Sequence, residues 1–299
     1  MIKIKNIDNY EKNKLNSVAI NKISFSFEFF PPKNLYDDLS LKNISKIFSA
    51  YNPSFFSITY SPNSCDRYRT QNLALKIQNY TNIPTAAHLT CIDISRIELL
   101  NIIKNYWKNG IKNIVALRGD RPKNNISVSS MYALDLVKLL KKTADFNISV
   151  AAYPETHPES TSAKQDLIFL KKKLDAGADQ AITQFFFDID KFLYFRDECI
   201  KIGITKPIIP GILPIKNFIQ LKKFSNLTNV TIPKHISNLF ENITLENNYS
   251  GKIIGSILIS QMIEKLYKEG INNFHFYTLN DVEMINSVCK TINSKISLM

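Results

Sequence analysis

The feature that most restricts the fold is a linker that recurs. Lys108-Asn109-Gly110-Ile111, Asp175-Ala176-Gly177-Ala178, Lys201-Ile202-Gly203-Ile204 and Lys268-Glu269-Gly270-Ile271 each put a glycine just ahead of an apolar run. Glycine closes a helix in the left-handed conformation without steric cost, so each linker reads as a helix end feeding a strand. The chain has 8 glycines, and half of them do this one job. Candidate strands begin near Phe25, Ser54, Pro84, Asn113, Ile148, Gln180, Pro207 and Asn273, most of them about thirty residues apart, the length of a βαβ unit. The intervals carry helical spacing, as in Leu41, Ile44 and Phe48, or Leu167, Leu170 and Leu174, or Ile254, Leu258, Met262 and Leu266. Strand–helix units in this number predict a (β/α)8 TIM barrel ahead of a doubly wound sheet.

One interval breaks the rhythm. Between Pro207-Ile208-Ile209 and the last strand there is room for two helical pieces, separated by the polar stretch from Glu241 to Tyr249. We read an insertion in one domain spanning 1–299, with residues 1–22 as an arm or short helix outside the barrel. The 299 residues include no uninterrupted apolar run of about eighteen, so no membrane span is expected. The start, MIKIKNIDNYEKNKL, lacks the apolar core of a secretory signal. Cys65, Cys91, Cys199 and Cys289 form no CxxC pair and read as thiols in a reducing cytoplasm. A net charge of +12 invites a nucleic-acid partner, but the lysines are spread along nearly every segment and no RNA-binding aromatic motif accompanies them. Solvated helix faces explain them better, and no nucleic acid is expected.

In a barrel the chemistry gathers where strands end. Strand one, Ser24-Phe25-Ser26-Phe27-Glu28-Phe29, puts its phenylalanines on one face and Glu28 on the other, and Pro31-Pro32 stops it. Burial without a cation partner would raise the pKa of Glu28 and suit it to acid catalysis. Strand two ends in Thr59-Tyr60, strand three in His88 and Thr90, and strand four in Arg118-Gly119-Asp120, where Gly119 would let a ligand approach the backbone. Strand five ends in Tyr153 and His157, and strand six carries Gln184. Each has a plain alternative: His88 and His275 as satisfied core histidines, Arg118 and Asp120 as a structural ion pair. Such a coincidence at the same end of six successive strands is costly to maintain by chance. The histidines lack metal-ligand spacing, so no metal is expected.

These residues carry a resemblance. FEFFPP, SITYSPNS, AAHLTC, NIVALRGD, VAAYPETHPE, DAGADQAITQFFFD, IIPGILPI and FHFYTLN together resemble the bacterial methylenetetrahydrofolate reductase family, in its order and spacing, from about Phe25 to Asn280. The resemblance implies a barrel holding FAD non-covalently. It also implies oxidation of NADH, or NADPH, and reduction of 5,10-methylenetetrahydrofolate to 5-methyltetrahydrofolate by ping-pong kinetics, in support of methionine synthesis. By the same resemblance Glu28 is the general acid toward N10 of the folate, and Asp120 stabilises developing positive charge and tunes the flavin. Gln184 bonds the pterin or nicotinamide, Phe224 stacks on either, Gln220 contacts the folate tail, and Thr59 lies among the substrate contacts. The implied FAD-binding positions are Tyr60, His88, Arg118, Gly119, Asp120, Tyr132, Ala133, Tyr153, His157, Asp166, Lys172 and Lys173. Without GxGxxG, a Rossmann mode of binding is not expected. Lys172 and Lys173 also fit an ordinary solvated helix face.

The family implies a homo-oligomer, a tetramer in bacterial relatives, and no regulatory domain here. Three departures stand out. Ser61-Pro62 replaces the frequent Gly-Ala, Phe169 replaces a frequent Asn, and Asp281 stands where the family often has an Arg for the folate's glutamate carboxylate. Two other readings compete on the residues alone: a flavin-free barrel methyltransferase, and a basic RNA-binding protein on a degraded barrel.

Overall fold

The computed structural model describes residues 22–31, 35–60, 67–120, 131–241 and 248–296. Most of the N-terminal arm, Ser61-Pro62, Cys65 and most of the polar stretch after Glu241 lie outside them. Strands and helices alternate: β1 (Ser24–Phe29), α1 (Leu35–Ser49), β2 (Phe55–Ile58), α2 (Arg67–Thr81), β3 (Thr85–Thr90), α3 (Arg96–Lys108), β4 (Asn113–Leu117), α4 (Ala133–Thr143), β5 (Asn147–Ala152), α5 (Ala163–Asp175), β6 (Gln180–Thr183) and α6 (Ile189–Lys201). Then follow β7 (Ile208–Ile209), β8 (Gly211–Ile212), α7 (Phe218–Thr228), α8 (Lys234–Glu241), α9 (Asn248–Lys268), β9 (Asn273–Tyr277) and α10 (Val282–Ile296).

All strand pairs are parallel, in the order β7-β6-β5-β4-β3-β2-β1-β9-β8. β7 and β8 are one barrel strand broken at Pro210. Ile208–Ile209 pairs with β6 and Gly211–Ile212 with β9, so the chain itself joins the two ends of the sheet. Proline has no N–H for a ladder, and its carbonyl is still used, accepting from His275 N at 3.0 Å. The expected eight-stranded barrel is therefore present with its seventh strand split. Gly211 sits at the seam with no room for a side chain: a Cβ there would lie 2.2 Å from the Thr183 carbonyl oxygen and 2.5 Å from the Tyr277 ring.

The glycine linkers behave as the sequence predicts. Gly110, Gly177, Gly203 and Gly270 have φ of 89°, 115°, 81° and 83°. At each, the glycine N–H reaches back three residues and the following N–H reaches back five, as in Gly110 to Trp107 and Ile111 to Tyr106, the Schellman closure. In β1 the period of two is realised as read. Phe25, Phe27 and Phe29 face the helices, Phe27 stacking on Phe48 of α1 at 4.5 Å, while Ser26 and Glu28 face the interior. Below the mouth the barrel is filled by Phe55, Ala86, Val115 and Ile182.

The insertion differs from expectation. It holds three helices, α7, α8 and α9, where the sequence suggests two. The extra one is short, and its buried apolar residues, Ile236 and Phe240, lie on one face and join Phe185, Phe187, Leu213, Ile215, Leu221 and Val230 in a separate core. Too brief for a full periodic signature, it is held by that packing. No described helix is long and apolar enough to cross a membrane.

Candidate active site

Parallel pairing puts the carboxyl ends of all strands on one rim, and Glu28 lies just inside it. Register sets Glu28 beside Ser57 on one side and Tyr277 on the other. Its Oε2 is 3.2 Å from His88 Nε2 on β3 and 3.5 Å from His275 Nε2 on β9. Both ring nitrogens approach without the alignment of a full hydrogen bond. Burial pushes the carboxyl up, but the two imidazoles outweigh it and hold the pKa down at about 2. The expectation of a raised pKa, made for a carboxylate without a cation partner, is therefore corrected: two potential cations flank it. His275 is fully buried, and its Nδ1 lies 2.8 Å from Ser26 Oγ. Tyr277 donates to the Thr183 carbonyl at 2.7 Å, and burial followed by the Glu28 charge raises its phenol well above the ordinary range.

The other predicted rim residues are found at the predicted strand ends. Thr59 N donates to the Phe29 carbonyl at 2.9 Å, and Tyr60 follows it on the rim. Asp120 is exposed just past β4. Tyr153 meets His157 edge to face at 4.5 Å, and Asp166 Oδ2 accepts from His157 N at 2.8 Å, fixing this loop on the first turn of α5. Tyr132 is the half-exposed N-cap of α4 and Ala133 its first residue. Gly119 has φ +91°, and a Cβ there would strike Ile92 at 2.6 Å, so its need for glycine comes from backbone conformation and packing, not from ligand approach alone.

Several side chains are engaged elsewhere. Arg118 does not pair with Asp120. It forms a two-pronged ion pair with Glu159, the second prong being Nη2 to Oε1 at 2.9 Å. Lys173 reaches inward to the Ala151 carbonyl at 2.6 Å, and burial pulls its pKa down to about 8, so it braces β5 against α5 in this structure. Lys172 lies over the exposed ring of Phe169 at 5.4 Å. Gln184 Oε1 accepts from Phe185 N at 3.1 Å. Gln220 Oε1 accepts from Lys216 N at 3.0 Å while its own N–H is capped by Asn217, so it helps start α7. Phe224 packs edge-on against Phe185 at 6.0 Å. Asp281 caps α10 through Met284 N and lies 3.7 Å from Lys216 and 3.9 Å from Lys252.

Sequence reasoning missed Ser26, Tyr277 and Glu159, and gave His275 only a core role. The period of two in Phe274-His275-Phe276-Tyr277 already places His275 and Tyr277 on one face. Glu155, 8% exposed, was also missed. It pairs with Lys191 at 2.5 Å and accepts from Thr231 N, tying the β5 loop to the segment after α7.

A closed parallel barrel with ionisable and aromatic side chains gathered on its carboxyl rim defines a (β/α)8-barrel enzyme. A solved barrel from Clostridium thermocellum, described as binding two copies of 5-methyl-5,6,7,8-tetrahydrofolic acid, superposes with a TM-score of 0.63 at 15% identity, covering 93% of this chain and 97% of that one. The methylenetetrahydrofolate reductase family model matches residues 14–293, and the chain belongs to that family. A 5,10-methylenetetrahydrofolate reductase of Buchnera aphidicola from Schizaphis graminum is 53% identical, covering 93% of this chain and 94% of that protein. The Escherichia coli K12 reductase is 48% identical, covering 91% of each.

Proposed function

We propose that the protein reduces 5,10-methylenetetrahydrofolate to 5-methyltetrahydrofolate with NADH or NADPH as donor, through non-covalently held FAD, and so supplies methyl groups for methionine synthesis. The observation that carries this reading is Glu28, an inward carboxyl at the rim between two imidazoles, in a chain of this family. A cytoplasmic homo-oligomer accords with it, and the buried free thiols of Cys91, Cys199 and Cys289 fit a reducing compartment.

The residues at the rim suit a flavin. Ser57 Oγ and His88 Nε2 are buried polar atoms without a hydrogen-bond partner, which a polar ring system at the mouth would satisfy. Tyr60, His88, Gly119, Tyr132, Ala133, Tyr153, His157 and Asp166 would hold it, with Arg118 and Lys172 toward its phosphates. Bound there, FAD supplies two-electron transfer between the nicotinamide and the folate. Glu28 gives a proton to N10 of the folate, opening the five-membered ring to an electrophilic iminium carbon. Asp120 stabilises that cation by its charge. Gln184 and Phe224 orient the planar substrate, the latter by stacking. Lys216 and Lys252 lie 3.7 and 3.9 Å from Asp281 and are the cations available to compensate for it, but with an anion in place of an Arg we expect a raised folate KM.

The purified protein is expected to be yellow, with absorbance near ~450 nm. NADH or NADPH should bleach it without oxygen, and methylenetetrahydrofolate should restore it. One mouth serving both substrates in turn gives parallel lines in double-reciprocal plots. A colourless protein that takes up no FAD, or intersecting lines, overturns the respective part of the reading.

A further inference from the structure

Glu28 presents a chemical difficulty. Two imidazole nitrogens within 3.2 and 3.5 Å favour its ionised form, yet a general acid must carry a proton when its substrate arrives. The hydrogen bonds around His275 bear on where that proton is kept. Ser26 has one hydroxyl hydrogen, and Oγ donates it to the Phe274 carbonyl at 3.4 Å. The same Oγ is 2.8 Å from His275 Nδ1, so Ser26 holds the ring in place and accepts from Nδ1–H when the ring is an imidazolium. Nε2 faces Glu28 Oε2 at 3.5 Å, with His275 fully buried and the Glu28 side chain 12% exposed. Two lone pairs opposed in such a place would repel, so a hydrogen lies on that line, on nitrogen or on oxygen.

We propose that His275, oriented by Ser26, is the positioning residue that reloads Glu28 with the proton it delivers to substrate. The inference rests on the reading of Glu28 as the acid toward folate N10. The imidazolium Nε2–H bond breaks as an O–H bond forms on Glu28, and Glu28 then passes that proton to the substrate nitrogen and returns to the carboxylate. The imidazole is left neutral with its hydrogen on Nδ1, and solvent protons recharge it after product leaves. The titratable groups facing this pair are His88 from β3 and Tyr277 from β9, while β2 contributes the Phe55 ring, stacked on His275 at 5.6 Å, and Ser57. Ser26 fixes which nitrogen of His275 is free to face Glu28, and that sets His275 apart from His88.

The test follows the folate half-reaction against pH in wild type, His275→Gln and Ser26→Ala. His275→Gln is expected to lower its rate on the order of 10²-fold, the low end of what a positioned acid contributes, with folate KM little changed. The basic limb of the profile should move to lower pH once the imidazole is removed. Ser26→Ala, a smaller change, should move the limb in the same direction. Histidine ¹⁵N and glutamate ¹³C resonances of the wild-type protein should record His275 and Glu28 titrating as one coupled pair, independent of turnover. Unmoved pH profiles in both variants, or separate titrations, overturn the proposal. If Glu28→Gln itself still reduces folate at the wild-type rate, it is instead the reading of Glu28 as the acid that fails.

Discussion

Glu28 owes its place to a period of two and its electrostatics to two other strands. The alternation of β1 turns it inward, and Pro31 ends the strand beyond it. His88 and His275 then decide which way its pKa moves. Glu28→Gln keeps the shape and removes the transferable proton. Folate reduction is expected to fall about 10²–10⁴-fold while oxidation of the nicotinamide with an artificial electron acceptor continues. Stopped-flow measurement of the two half-reactions separates these, and equal loss in both would contradict the assignment. The residue scale was legible wherever a side chain's role depends on its own strand. It was not legible for Arg118, whose partner Glu159 comes from a loop 41 residues away.

At the scale of elements, α5 carries a cost that its sequence conceals. The run Lys171-Lys172-Lys173 looks uniformly solvated, yet helical geometry points successive side chains about 100° apart. Lys172 is exposed, whereas Lys173 is drawn under β5 to the Ala151 carbonyl. Its pKa falls from 10.5 to about 8 on folding, so between those values the unfolded chain binds more protons than the folded one. The contribution of this group to stability therefore rises with pH across that window. Relative to Lys173→Met, the wild-type melting temperature should climb from pH 8 toward 10.5. Parallel profiles for the two proteins would show that the ammonium is not buried in solution. The glycine-closed helices, by contrast, were readable because a Schellman cap is a local structure and needs no tertiary partner.

The whole molecule depends on one seam. Pro210 breaks the seventh strand so that β7 pairs with β6 and β8 with β9, and Gly211 lets the Thr183 and Tyr277 backbone and ring close over it. Gly211→Ala forces a methyl against a carbonyl that cannot move without opening the barrel. A loss of about 3 kcal/mol is expected, the upper part of the range for overpacked sites, read as a shift in the urea midpoint. A midpoint unchanged from wild type would refute the closure described here. The residues alone set the alternation of strands and helices outside the insertion, the four glycine-closed helix ends and the inward face of the first strand, because these follow from backbone geometry over a few residues. Only the tertiary structure decided that the seventh strand is split, that Lys173 turns inward, and that Glu28 meets two imidazoles. Those outcomes depend on groups far apart in the chain, and their energies exist only once the barrel has brought them together.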